Sequence, residues 1–269
     1  MSEQTGTRLG RALRAVALAC WAGQATACAL PRPTAVPLAS EAFPAHADGR
    51  ACCLVVLLPG HGDTPRDFVE HGFVKALRDA RIPVDVIAVA AHSGYYFKGI
   101  VAERLHADVL APARAAGYQQ IWLVGVSMGG FGALWTAQLH PDDVSGLVLL
   151  APFMGRPRIV NPIAEDGIRQ WRPRPERGTW DYELWRWLHR LAQPMAAISP
   201  TMSPMPPIYL AHGQDDASAG TLMLAELLPP EHVLVIPGDH DWDTWIPLWA
   251  QLITRVPWTG GADPRPPAP

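Results

Sequence analysis

One ten-residue stretch, Ile121-Trp122-Leu123-Val124-Gly125-Val126-Ser127-Met128-Gly129-Gly130, constrains the chain more than any other. An apolar run enters it and a helical pattern containing Ala, Leu and Trp leaves it, with Ser127 at the joint. This is a G-x-S-x-G order set between strand and helix. In that setting a sharp turn lifts a serine oxygen above a sheet, and the glycines keep side chains out of the crowded bend. Ser127 is therefore the candidate nucleophile, and the chain around it must supply a base, an acid and oxyanion donors.

Strand-like and helix-like segments alternate on either side. Residues 52–58 form a continuous apolar run bounded by Pro59-Gly60, the pattern of a strand buried on both faces. Helical spacing over 67–81 leads to a second buried strand at 83–90, a loop at 92–98 and a helix at 99–116. A strand at 118–126, the helix 127–139 and a strand at 144–151 follow. Alternation stops over 152–205, where one helix is expected, at 180–192. It resumes with a strand at 207–211, a helix at 217–228, a strand at 232–236 and a helix at 241–256. In that last helix Trp245, Leu248, Trp249, Leu252 and Val256 recur at helical intervals. The pattern predicts an α/β fold: a mostly parallel sheet of about six or more strands, helices on both faces, and a small helical cap inserted at 152–205.

The 269 residues suffice for one such domain over 51–256, and 49% apolar content supplies its core. A formal net charge of -3 gives no general pull toward nucleic acid or an anionic membrane. Arg8, Arg11 and Arg14, the uncharged run 15–23 and the small residues of Ala25-Thr26-Ala27 predict a signal peptide over 1–27 and an exported protein, with a cytoplasmic location as the alternative. That run is shorter than the ~20 residues a spanning helix needs. Removal after Ala27 would leave Cys28 first, which resembles a bacterial lipoprotein signal and would tether the protein to a membrane. Ala25 departs from that signal, which usually carries Leu or a similar aliphatic there. Residues 28–50 read as a linker running into an irregular or short-strand segment, and 257–269 as a disordered tail. Of the four cysteines, Cys20 leaves with the signal, and adjacent Cys52 and Cys53 are expected to be small buried hydrophobes without a bond between them. No Cys/His spacing marks a zinc site.

Three further stretches end predicted strands, where ligands bind in open α/β sheets. Ile208-Tyr209-Leu210-Ala211-His212-Gly213-Gln214-Asp215-Asp216 runs into an acidic turn, and Ile236-Pro237-Gly238-Asp239-His240-Asp241-Trp242 carries the candidate base. Leu57-Leu58-Pro59-Gly60-His61-Gly62-Asp63-Thr64 is a glycine-bracketed turn that can offer an N–H at His61, to act beside that of Met128. Together these stretches resemble an α/β-hydrolase of carboxylesterase type, from about residue 51 to 256, in its order of Ser, acid, His. The resemblance to an H-G-x-x-D turn points to Asp216 as the acid, with adjacent Asp215 as runner-up. The resemblance to a G-x-H-x-W ending places the base at His240. The oxyanion turn is similar to L-H-G-x-G-D-T, except that Pro59 stands where that pattern has His. The resemblance implies a serine hydrolase acting on a carboxylic ester through an acyl-enzyme, with no cofactor. The same triad would serve an acyltransferase, thioesterase or amidase. A non-catalytic envelope binding protein on this fold is the alternative of a different class.

Other residues near these strand ends have less specific readings. Tyr95 and Tyr96 follow the second strand, where a loop can overhang the site, and Trp242 either lines its rim or packs with Trp245 and Trp249. The side chains of His61 and His212 read as spacers at strand ends. Asp63, Asp239 and Asp241 offer no ligand spacing for a metal. The insertion interleaves Trp171, Trp180, Trp185 and Trp187 with arginines such as Arg156, Arg169 and Arg186. One reading is a cap whose tryptophans bury it while its arginines face water. The other is a lid shaping an apolar acyl pocket, with an arginine meeting an anionic group on a small-molecule ester. The oligomeric state is not encoded.

Overall fold

A computed structural model of the protein describes residues 32–46, 49–176, 178–193 and 205–259. The expected signal segment, Cys28 and residues 260–269 of the expected tail lie outside the described residues. Within the compact unit Pro33–Pro269, seven strands among the described residues form one sheet. They are β1 (Ser40–Phe43), β2 (Cys53–Leu58), β3 (Val84–Val89), β4 (Gln120–Val126), β5 (Gly146–Leu150), β6 (Ile208–Gly213) and β7 (Val233–Ile236). Their spatial order is β1-β3-β2-β4-β5-β6-β7. β1 lies antiparallel on β3, with Ser40 opposite Val89, and every other pairing is parallel.

The uninterrupted apolar character of β2 follows from its two covered faces. Successive side chains point to opposite sides of a strand. Leu54, Val56 and Leu58 accordingly join one core with Leu105, Phe131 and Leu134, while Cys53, Val55 and Leu57 join a second with Phe68, Phe73 and Trp249. The helices supplying those layers are α1 (Pro65–Glu70), α2 (Phe73–Asp79), α3 (Ser93–Phe97), α4 (Val101–Leu105), α5 (Ala111–Ala115), α6 (Met128–Leu139), α7 (Pro157–Asp166), α8 (Trp180–Leu191), α9 (Ala219–Ala225) and α10 (Trp242–Leu252). No helix among the described residues is long and apolar enough to cross a membrane.

Several local expectations change. The single helix expected over 67–81 is two helices, because Gly72 takes a left-handed φ of 74° between α1 and α2. The expected loop 92–98 contains α3, whose first turn is held by the His92 imidazole accepting from the Gly94 N–H at 3.2 Å. The helix expected over 99–116 widens into a π-helical turn, His106–Leu110, just before Pro112, which has no N–H to give to the ladder. Within 28–50 the short strand expected as one alternative is present as β1. Cys52 stands one residue outside β2 and is exposed, so only Cys53 is the buried hydrophobe expected of both. Trp258, within the expected tail, is buried against Trp122 and Trp249. The described residues of the insertion hold two helices, α7 as well as α8, despite Pro162 inside α7.

Parallelism has one consequence for function. The C-terminal ends of β2, β4, β6 and β7 fall on the same edge of the sheet, which brings the turns at 59–64, 127, 214–216 and 237–241 together.

Candidate active site

Ser127 sits where β4 becomes α6, with φ 50° and ψ -114°. A side-chain-bearing residue rarely adopts a positive φ, and the strain is carried by an over-determined bend. The Ser127 N–H donates to the Leu150 carbonyl at 2.9 Å, and its own carbonyl accepts from Gly130 and Phe153 at 3.0 and 2.8 Å. A Cβ at Gly125 would meet the backbone of Gly129, and one at Gly129 would meet the Leu58 carbonyl. Glycine at those two positions is what lets helix and strand approach this closely.

The bend brings Ser127 Oγ to 2.9 Å from His240 Nε2, and His240 Nδ1 to 2.8 Å from Asp216 Oδ2. Of the two adjacent acids, Asp216 reaches His240, while Asp215 is exposed and its N–H donates to the Gly238 carbonyl at 3.1 Å. His240 arrives on a turn braced by α10, whose N-cap Asp241 accepts from the Thr244 N–H at 2.9 Å. The imidazole meets the Trp245 ring edge-to-face, with centroids 5.1 Å apart. A neutral imidazole so placed can take a proton from Ser127 while its other nitrogen donates to the carboxylate.

The N–H groups of Met128 and His61 make no hydrogen bond among the described residues, and both residues line a cavity together with Ser127. Met128 is the first residue of α6, where an N–H has no partner within the helix and the dipole favours negative charge. Asp63 folds back over Gly60, where a Cβ would lie 2.6 Å from its Oδ2. Burial, and then the neighbouring Asp67 carboxylate, raise the Asp63 carboxyl above its ordinary range, against a hydrogen bond from Trp242.

Among the described residues, two cavities open at Ser127. One, of about 320 Å³, is lined by His240, Asp216, Asn161, Ser218 and Thr221, with Met154 beneath. The other, of about 330 Å³, is walled by Tyr96, Phe97, Phe131, Phe153 and Trp180 and carries Arg156. Phe153 lines both. Sequence patterning did not single out Phe97, Phe131 or Phe153, whose spacing serves core packing as readily as a pocket.

The three candidate substrate contacts separate here. Tyr96 lines the aromatic cavity, with its hydroxyl buried and without a partner among the described residues. Tyr95 lines neither cavity: it is buried and its hydroxyl donates to the Ala35 carbonyl at 2.8 Å. Trp242 also lines neither, packing among Phe68, Phe73 and Trp245 and stacking on His71 at 4.3 Å. His212 is buried with Nδ1 2.7 Å from the Gly213 carbonyl, a structural contact, whereas His61 belongs to the aromatic cavity.

The tryptophans and most arginines of the cap follow the first reading of its composition. Trp185 is fully buried and donates to the Met154 carbonyl at 2.8 Å, while Arg158, Arg169, Arg172 and Arg174 are exposed. Arg156 does neither job simply. Its Nε and Nη2 donate to the two oxygens of buried Asp181, each at 2.7 Å, and its guanidinium lies 5.0 Å from the Trp180 ring. Burial alone would raise the Asp181 carboxyl, but hydrogen bonds from Arg156, Thr179 and the Arg156 N–H hold it down to about 2.

Away from this edge, His106, His140 and Asp143 lie close enough to share a metal ion. The two imidazoles are stacked with planes 3° apart and centroids at 4.0 Å, so their in-plane lone pairs run side by side rather than converging. That stacking is packing geometry, and no spacing in the sequence announces it.

Residues 35–222 match the family described as the alpha/beta hydrolase fold. No curated protein matches the chain in sequence. Among solved structures it is similar to a ferulic acid esterase, with TM-score 0.53 at 16% identity over 80% of this chain and 89% of that one. An S-formylglutathione hydrolase from Staphylococcus aureus superposes with TM-score 0.51 at 15% identity, over 78% and 83% of the respective chains. A monoacylglycerol lipase from Paleococcus ferrophilus gives TM-score 0.50 at 14% identity, over 81% and 99%. At these identities the likeness is one of fold.

Proposed function

Because the chain belongs to the alpha/beta hydrolase fold family, we propose that it is a serine hydrolase that cleaves carboxylic esters through a covalent acyl-enzyme. The observation that carries this is the continuous pair of contacts from Ser127 Oγ to His240 to Asp216, at 2.9 and 2.8 Å. His240 takes the proton from Ser127 as Oγ attacks the ester carbonyl, and Asp216 stabilises the imidazolium and fixes its orientation. The N–H groups of Met128 and His61 meet the oxyanion of the tetrahedral intermediate. His240 then protonates the leaving alcohol as the carbon–oxygen bond breaks. Water attacks the acyl-Ser127 with His240 as base, releases the acid and restores the serine. The ester as substrate, rather than another acyl compound, draws support from the esterase and lipase names of proteins sharing the fold.

A fluorophosphonate probe tests the reading directly. The expected result is stoichiometric labelling of Ser127, none in Ser127→Ala, and loss of at least about 10³-fold in para-nitrophenyl ester hydrolysis in that variant. Folded protein that leaves Ser127 unlabelled and no ester cleaved would point instead to a binding module on a hydrolase fold.

A further inference from the structure

The tetrahedral carbon at Ser127 has four substituents to place, and the two cavities decide where they go. One substituent is Oγ and one is the oxyanion. The leaving oxygen must receive a proton from His240, so it lies toward the cavity that His240 and Asp216 line. The acyl group is left the aromatic cavity, whose wall carries Met128 and His61. This assignment rests on the acyl-enzyme reading above.

That cavity is shaped for a ring. Phe131 and Trp180 stand edge-to-face at 4.7 Å, Tyr96 closes one side and Phe153 lies 6.3 Å from Phe131. Aromatic walls favour a flat apolar group through edge and face contacts. Phe97, 82% exposed, stands at this cavity as apolar surface that a bound ring would cover.

Arg156 adds a polar requirement. With Nε and Nη2 engaged by Asp181, Nη1 has no hydrogen-bond partner among the described residues. The sequence suggests an arginine for an anionic group on the substrate. The buried Asp181 carboxylate changes that expectation, because it already balances the guanidinium charge. A second anion beside the pair would face Asp181 and lose its own hydration for no net attraction. A neutral acceptor keeps the charge-assisted hydrogen bond and avoids the repulsion. We propose that the acyl half of the substrate is a flat aromatic group bearing a neutral hydrogen-bond acceptor, such as an ether, hydroxyl or ketone oxygen, bound by Arg156, and that a carboxylate at the same place is rejected.

The test uses para-nitrophenyl esters, so that the leaving group is constant while the acid is benzoic, meta- or para-methoxybenzoic, or meta- or para-carboxybenzoic. Rates are referred to alkaline hydrolysis of each ester to remove intrinsic reactivity. The expected kcat/KM for the better methoxy isomer exceeds that for benzoate by about tenfold, and both carboxy isomers fall below benzoate. Arg156→Lys keeps a cation beside Asp181 but removes the third nitrogen, and it should bring the methoxy-to-benzoate ratio close to one. If Ser127 is labelled by fluorophosphonate and benzoates are cleaved without a methoxy preference, or the carboxy esters are cleaved as well, the substrate inference falls and the hydrolase reading stands. An unlabelled Ser127 with no ester cleaved removes both. The ester series on the unaltered protein decides the matter even where Arg156→Lys does not fold.

Discussion

At Ser127 a positive φ, two glycines and a hydrogen bond to the Leu150 carbonyl hold one hydroxyl where an imidazole can reach it. The strain is local and its support is steric, so the site should be intolerant of a methyl group at Gly129. Gly129→Ala would press a Cβ into the Leu58 carbonyl. It is expected to abolish ester turnover and lower the thermal midpoint, measurable by activity and circular dichroism on the same preparation. The two acids at the end of β6 divide by contact rather than by chemistry. Asp216→Asn keeps the shape but offers His240 an amide in place of a carboxylate, and kcat should fall by about 10⁴-fold. Asp215→Asn alters an exposed side chain outside the contact and should stay within about twofold of the parent. Adjacent identical residues carry no mark in sequence of which one turns inward. The H-G-x-x-D resemblance pointed to Asp216, and the turn that sends Asp215 N–H to Gly238 is what separates the two in space.

Elements were legible where periodicity was strong and obscured where it was broken by residues of special backbone chemistry. β2, β4, β5 and β6 are apolar because they are covered on both faces, and a continuous run reports that directly. α3 is five residues long and contains Gly94 and two tyrosines, so its stability comes from burial and the His92 cap rather than from propensity. α7 begins at Pro157, which suits a first helical position, but contains Pro162, which argues against a helix until the apolar pair Val160 and Ile163 is seen buried in the core. The aromatic cavity draws on the turn after β2, on α3, α6 and the cap at once, and no linear spacing records such a meeting. Within the cap, Asp181 with Arg156 ties α8 to the segment that leads into α7. The carboxyl lies near 2 in the folded protein and near 3.9 in an unfolded chain, so its contribution is fully present above about pH 4 and is lost as pH falls through 2. The depressed pKa corresponds to stabilisation on the order of 2 kcal/mol. Asp181→Asn should therefore be less stable than the parent at pH 6, and urea midpoints of the two proteins should converge as pH is lowered toward 2.

Across the whole molecule the two ends of the parallel strands do different work. Chemistry-bearing turns crowd the C-terminal edge, and the opposite end is closed by tryptophans. Trp122 lies five residues before Ser127 along β4, roughly 16 Å at the rise of a strand. Gly146 on β5 leaves space for its ring, since a Cβ there would collide with it. Trp258 covers Trp122 at 5.4 Å and Trp249 at 5.9 Å, and its indole N–H donates to the Ile253 carbonyl at 2.8 Å. A residue that composition places in a disordered tail thus seals the second core from below. Trp258→Ala removes a buried ring and leaves a void between β4 and α10, at a cost of about 3–5 kcal/mol. For a domain of this size that lowers Tm by roughly 6–20 °C. Because the ring and hydrogen-bond contacts of Trp258 among the described residues are to Trp122, Trp249 and Ile253, away from the C-terminal edge, kcat/KM measured well below the new Tm should stay within about twofold of the parent. A large loss of activity in protein that is still fully folded by near-UV circular dichroism would mean that the two ends of the sheet are mechanically coupled, and the separation of stability from chemistry along β4 would fail.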